Sequence, residues 1–154
     1  MGLTKLVLFK INDQLYGIDI EQVNAIETAT NITASPNMPD FMLGMINLIG
    51  SVIPIVSLRK KFAIPEIPVD AKTQYLIILR DGECIGFKVD EVKEIVEVSD
   101  ENIHKLPTIV KSEDTGYANN IAAVDGNLVV IINTEGVLTD KESENISNAI
   151  NAVQ

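Results

Sequence analysis

Short apolar runs broken by polar turn residues fill most of this chain. Leu6-Val7-Leu8-Phe9-Lys10-Ile11 and Leu15-Tyr16-Gly17-Ile18 flank the polar pair Asn12-Asp13, which is the pattern of two strands joined by a tight turn. Tyr75-Leu76-Ile77-Ile78-Leu79-Arg80 and Cys84-Ile85-Gly86-Phe87 flank Asp81-Gly82 in the same way. Two further pairs of runs turn on a glycine, Met45–Val56 about Gly50 and Ile121–Ile132 about Gly126. Leu, Ile and Val supply these runs, and β-branched side chains suit a pleated surface packed on one or both faces. The chain reads as all-β.

The runs repeat. Residues 6–17 lie over 75–86 without a gap, and the same offset of 69 carries Gly17–Val23 onto Gly86–Val92 and Ile26 onto Ile95. An offset of 76 then lays 45–56 over 121–132. Two similar small lobes follow, lobe one over about 1–64 and lobe two over about 73–138. The segment Pro65-Glu66-Ile67-Pro68-Val69-Asp70-Ala71-Lys72 reads as the linker between them, and Ala34-Ser35-Pro36-Asn37-Met38-Pro39-Asp40 as a loop inside the first. Units this small stand near the lower limit of independent stability, so they are expected to pack face to face and share apolar surface, with a groove where they meet. The tail differs in period. Thr139 and Glu142 have capping-box spacing, and Ile146, Ala149, Ile150 and Val153 form one stripe of a helix over about 140–153, expected to dock back on the body.

Composition narrows the function classes. The 154 residues are 46% hydrophobic, enough for a packed core, and carry a net charge of −10 from 22 acidic and 12 basic residues. Such a surface repels phosphate backbones, and Arg59-Lys60-Lys61 reads as a solvated turn, so no nucleic-acid partner is expected. Cys84 is the single cysteine and His104 the single histidine, which removes internal disulfides, cysteine zinc clusters and histidine-based triads. Cys84 reads as a buried, inert thiol in a strand, and His104 as an exposed residue at a helical turn. Asp19, Asp90 and Asp125 alternate with apolar neighbours as outward-facing strand or turn residues, and no calcium loop, P-loop or dinucleotide fingerprint occurs. No catalytic residue, cofactor or metal is expected. Without a signal-peptide pattern, a membrane-length apolar run or a myristoylation spacing after Gly2, the chain reads as cytoplasmic and not inserted in a membrane. Recognition through apolar grooves and strand edges suits this inventory.

Two stretches resemble the CheW coupling proteins of bacterial chemotaxis. Tyr16-Gly17-Ile18-Asp19-Ile20-Glu21-Gln22-Val23, followed by Ile26, is similar to the family segment after the first hairpin. Gly44-Met45-Ile46-Asn47-Leu48-Ile49-Gly50 and Val52-Ile53-Pro54-Ile55-Val56-Ser57-Leu58-Arg59-Lys60-Lys61-Phe62 resemble its G-x-x-N-L-R-G-x-x-x-P-x-x-D-L-R-x-x-F signature, and a weaker similarity continues through 73–138. The resemblance implies two SH3-like five-stranded β-barrel lobes with short helices, in a single CheW-like domain. It also implies a non-enzymatic adaptor, a monomer when free, that bridges chemoreceptors to the regulatory domain of a CheA-type histidine kinase in arrays at the inner membrane face.

On that resemblance one lobe joins the kinase domain through apolar strand ends, while a groove holds the helical hairpin tip of the receptor. By motif position the receptor-facing residues are Val23, Ile26, Gly44, Met45, Asn47, Ile49 and Gly50, and the kinase-facing one is Ile109. Three positions depart from the pattern. The signature arginine is Ile49, its D-L-R reads Ser57-Leu58-Arg59, and Ala25 stands where an acidic residue is common. An arginine there could make several charge-assisted hydrogen bonds that Ile49 cannot, whereas Ile49 can extend an apolar contact. The alternatives are a CheW-like paralogue serving another two-component pathway, a small-ligand module using the cleft between lobes, and a carboxylate-dependent hydrolase.

Overall fold

The computed structural model describes residues 2–34, 37–80, 82–106 and 117–151. Among the described residues, eleven strands and three helices follow one another along the chain. They are β1 (Leu3–Ile11), β2 (Gln14–Asp19), β3 (Val23–Thr28), β4 (Met42–Leu48), β5 (Ser51–Ser57), α1 (Leu58–Lys61), β6 (Gln74–Arg80) and β7 (Glu83–Val89). After these come β8 (Glu91–Ser99), β9 (Ile103–Lys105), β10 (Ala118–Val124), β11 (Asn127–Ile132), α2 (Thr134–Val137) and α3 (Asp140–Asn151). Short 3-10 turns at Ile20–Gln22 and Asp100–Asn102 precede β3 and β9.

The duplication extends to most elements. β4, β5 and α1 recur 76 residues on as β10, β11 and α2, and even the helix caps correspond, since Ser57 and Asn133 each accept a backbone N–H of their helix. Yet the sheets are not sequential halves, which corrects the expected lobe boundaries. One sheet runs β8-β1-β2-β11-β10-β9 and the other β3-β6-β7-β5-β4. The first hairpin of each copy therefore joins the later strands of the other copy. β3 pairs antiparallel with β6, β8 with β1, and the parallel contacts β5–β7 and β11–β2 complete the exchange. At the crossing after β2, Asp19 caps a 3-10 turn by accepting the Glu21 N–H at 2.9 Å, whereas the crossing after β7 passes through Asp90 alone. We call the two SH3-like barrels lobe A (the six-stranded sheet) and lobe B (the five-stranded sheet). The sixth strand, β9, occupies the place that in lobe B is held by a lone bridge between Thr33 and Met45.

Strand alternation sorts the apolar side chains into three clusters. Leu6, Leu8, Ala122 and Val129 fill lobe A, and Ile46, Ile53, Ile55, Tyr75 and Ile77 fill lobe B. The opposite faces of the same strands, with Val7, Phe9, Ile18, Leu76, Ile78, Phe87 and Val89, meet between the lobes in the largest cluster. Each fully buried side chain of this size contributes about 1.5–3 kcal/mol, so the shared face holds much of the stability. Phe9, Tyr16, Phe62 and Tyr117 stack in a row with centroids 4.3–5.8 Å apart, and burial within it pushes the Tyr16 phenol up to about 12. Among the described residues, this face is filled by core side chains where the groove between lobes was expected. Gly17 and Gly86, partners in the repeat, sit where a parallel strand passes overhead: a Cβ at Gly86 would lie 2.5 Å from Ile55 Cδ1.

Buried charge ties these pieces together. Arg59, expected in a solvated turn, is buried at α1 and donates from Nε and Nη2 to both oxygens of Asp90, which also accepts the Asn12 N–H at 2.7 Å. Asp90 is thus an inward partner and not an outward strand residue. The Asp90 hydrogen bond, ahead of the opposing effect of burial, raises the Arg59 guanidinium above its usual range. The linker crosses the end of lobe B, where Lys88 Nζ donates to Glu66 Oε1 at 2.8 Å and to the Ile67 carbonyl at 2.9 Å, and Ser57 Oγ bonds the other Glu66 oxygen. Helix α3 starts with the expected reciprocal capping box between Thr139 and Glu142 and buries Ile146 and Ala149 in the shared core. Lys61 pairs with Glu142 at 2.6 Å, and Arg80 donates to Ser143 Oγ and the Leu138 carbonyl. Val153 of the predicted stripe lies outside the described residues. Among the described residues, no helix is long and apolar enough to cross a membrane.

Candidate interaction surface

The β4–β5 hairpin ends in a two-residue turn, Ile49-Gly50, with φ of 50° and 80°. Both positive values define the mirror-image turn that matches strand twist, for which Asn-Gly or Asp-Gly is the favoured pair. The repeat makes the point internally, because the corresponding turn in lobe A is Asp125-Gly126 with φ of 48° and 81°. A β-branched side chain in this region is strained by its Cβ. Asn47 supports the turn by accepting the Gly50 N–H at 3.1 Å. Ile49 itself is 97% exposed. Ile49 thus neither packs within the lobe nor suits its backbone.

Around that tip lies the upper end of lobe B, formed by the start of β3, the end of β6 and the starts of β5 and β7. Val23 is half-buried there against the shared core, and Asn47 and Gly50 are exposed. Ile26 is 36% exposed further down β3, opposite Leu76. Gly44 and Met45 stand elsewhere, midway along β4. A bulge there, with φ of 153° at Gly44, brings the strand against Thr33, whose carbonyl would be 2.7 Å from any Cβ. Met45 is only 5% exposed, in the shared core. The expectation that Gly44 and Met45 present surface to a partner is therefore corrected: their role is to close the barrel. Ile109 lies outside the described residues.

Two apolar residues at this end escaped the sequence pattern. Leu79 is 53% exposed and Val52 is also open. Leu79 ends the row of Tyr75 and Ile77 that fills lobe B, whereas Val52 lies on the face of β5 opposite to Ile53 and Ile55. Cys84, beside them, is half-exposed and not fully buried; Asn24 Nδ2 stands 3.9 Å from its sulfur. His104 is exposed as expected but sits on strand β9, not at a helical turn. Among the described residues no group of acidic, histidine or cysteine side chains converges as metal ligands. The chemistry available at the tip of lobe B is apolar contact framed by the Asn24 and Asn47 amides.

Similarity to known proteins agrees with this picture. A family model described as the CheW-like domain matches residues 5–142. The probable chemotaxis protein CheW of Rhizobium etli is 34% identical over 145 residues, covering 93% of this chain and 92% of that protein. The chemotaxis protein CheW of Bacillus subtilis is 34% identical over 139 residues, covering 90% and 88%. The crystal structure of the scaffolding protein TtCheW from Thermoanaerobacter tengcongensis superposes with a TM-score of 0.84 at 30% identity, covering 92% of this chain and 96% of that one. With the swapped two-barrel fold, an exposed apolar tip and a match along most of its length, the chain belongs to the CheW-like domain family of non-enzymatic chemotaxis scaffolds.

Proposed function

We propose that this chain couples chemoreceptors to the regulatory domain of a CheA-type histidine kinase, working at receptor arrays on the inner face of the membrane. The observation that carries the proposal is Ile49: fully exposed, apolar and held in a backbone conformation that costs stability, it has no use inside the molecule. Val23, Ile26, Asn47, Ile49 and Gly50 are the receptor-facing set in this reading, with Val52 and Leu79 extending its apolar area. Ile109 remains the proposed kinase contact from motif position. The receptor tip is a helical hairpin, and apolar side chains at helical spacing would seat against such a patch. Where relatives carry an arginine, Ile49 shifts recognition from charge-assisted bonding to apolar burial, so the matching receptor presents an apolar surface at that point.

Binding of the full chain to the regulatory domain of a cognate kinase, measured by calorimetry at low and moderate salt, tests the coupling role. The expected result is a saturable one-to-one complex; its absence under both conditions refutes the role. Receptor contact is tested separately by Ile49→Arg. Because the side chain is exposed, melting should barely change while receptor affinity shifts. Unchanged affinity would remove Ile49 from the receptor surface.

A further inference from the structure

The repeat supplies an internal comparison between the lower ends of the two barrels. In lobe B the extended linker passes this end and is anchored there. Lys88 and Ser57 hold the Glu66 carboxylate between them, Lys88 also bonds the Ile67 carbonyl, and Ile67, Pro68 and Val69 form one wall of a cavity of about 460 Å³ whose other side includes Leu43 and Tyr75. In lobe A the same end carries a cleft of about 470 Å³ with no such anchored carboxylate. The positions of Lys88 and Ser57 are taken there by Asp19 and Asn133, and that of Tyr75 by Leu6. Asp100, Thr4 and Asn120 complete a rim without a basic residue, over a floor of Leu6, Ile103 and Ile131. The segment after α2, counterpart of the linker, instead leads into α3, which docks at lobe B through Arg80.

We propose that this cleft binds an extended segment of a partner protein bearing a lysine or arginine side chain, laid across lobe A as the linker is laid across lobe B with the charges exchanged. The occupied counterpart shows the pose. An extended segment with flanking apolar residues walls the cavity, while its central charged side chain, Glu66, reaches Lys88 near the end of β7. Asp19 accepts the Glu21 N–H with Oδ1, and its other oxygen takes no hydrogen bond from the described residues. Asn133 likewise uses Oδ1 in its cap, which leaves its amide NH₂ to meet a peptide carbonyl. The volume is that of a pocket for a small ligand or one long side chain. This surface lies at the opposite lobe from the Ile49 tip, so the proposal does not depend on the receptor or kinase assignment.

The test uses the full chain labelled with ¹⁵N and the peptide acetyl-Ile-Pro-Lys-Ile-Pro-Val-amide, which is the linker segment 64–69 with lysine in place of Glu66. Saturable amide shifts at Thr4, Asp19, Asn120 and Asn133 are expected. The glutamate version of the peptide should bind at least about tenfold more weakly, and Asp19→Asn should weaken the lysine peptide about tenfold, as loss of a charge-assisted hydrogen bond predicts. Asn is as good a cap as Asp, so this variant keeps the 3-10 turn. Asp100→Asn, with a loss of about threefold, serves if Asp19→Asn alters the spectrum globally. Asp19→Lys should reverse the preference toward the glutamate peptide. Shifts scattered over the acidic surface and indifferent to Asp19→Asn, or equal responses to both peptides, overturn the proposal. Self-association of the chain that Asp19→Asn abolishes would also overturn it, by making a second copy the occupant.

Discussion

Replacing Ile49 by Asn separates what the hairpin needs from what a partner needs. Ile49 is 97% exposed, so the substitution removes almost no buried apolar area. Its φ of 50° places a β-branched residue in the left-handed region, where an ordinary L-residue loses about 1–2 kcal/mol. Asn relieves most of that strain and forms the Asn-Gly pair that this turn prefers. The net expectation is a gain of about 1 kcal/mol, seen as a rise in Tm of about 2–4 °C for a chain of this size. Urea denaturation should give a higher midpoint with an unchanged slope, because the surface exposed on unfolding is the same. The same protein should bind the receptor tip more weakly, since the apolar anchor is gone. Gain of stability with loss of affinity is the signature of a residue kept for function. A loss of more than about 1 kcal/mol on Ile49→Asn would refute the reasoning, because it would mean that the side chain supports the lobe after all.

Other expectations follow from the buried charges and the C-terminal helix. Arg59→Met should destabilise by about 3 kcal/mol in chemical denaturation, because Asp90 would keep a largely buried charge without its partner; Arg59→Met with Asp90→Leu should recover part of that loss. Lowering the pH should destabilise the chain in a defined window. Burial tends to raise the Glu66 and Glu142 carboxyls, but the hydrogen bonds from Lys88 and Ser57, and from Lys61 and Thr139, outweigh it and hold both below the ordinary value of 4.5. Their contribution is complete above that value and is lost as the pH falls through the lower folded-state values, so Tm measured from pH 6 downward should begin to fall near 4.5, and Glu66→Gln should flatten the fall. Ile146→Ala empties a buried site under α3 and should cost about 2–4 kcal/mol in chemical denaturation; a change under 0.5 kcal/mol would show that the helix is not docked as described.

How far the sequence could be read is clear from particular residues. The apolar runs Leu6–Phe9 and Tyr75–Ile78 are strands as expected, although, apolar at every position, they could not show which face each side chain takes, and the two offsets pair β3, β4, β5 and α1 with β8, β10, β11 and α2. The capping spacing of Thr139 and Glu142 located the start of α3. What similarity cannot convey is which copy of a repeated hairpin a strand will choose. β3 would match the edge of β1 or of β6 equally well by pattern, and the few residues that join β2 to β3, or β7 to β8, carry no periodicity that marks a crossing. Arg59 and Asp90 were misread for a related reason: their pairing spans 31 residues, and each alone looks like a surface charge. At the candidate site, motif position named Asn47, Ile49 and Gly50 as a group, and they share one turn. It also named Gly44 and Met45, which lie at a bulge and a barrel seam and are buried.

The exchange of hairpins bears on how a protein without chemistry can carry a signal. If each lobe were one half of the chain, the lobes would meet only through side chains, and force applied at one would be absorbed by sliding at the interface. Here the backbone crosses between barrels after β2 and again after β7, each parallel junction lies inside a barrel, and the largest apolar cluster lies between them. Moving one lobe against the other would require bending both backbone crossings as well as repacking a core, and packed cores of this kind do not deform continuously. The two lobes should therefore move as one body. Partners held at the Ile49 tip and at lobe A would sense each other's position through a rigid spacer, which suits an adaptor whose output is the placement of its neighbours.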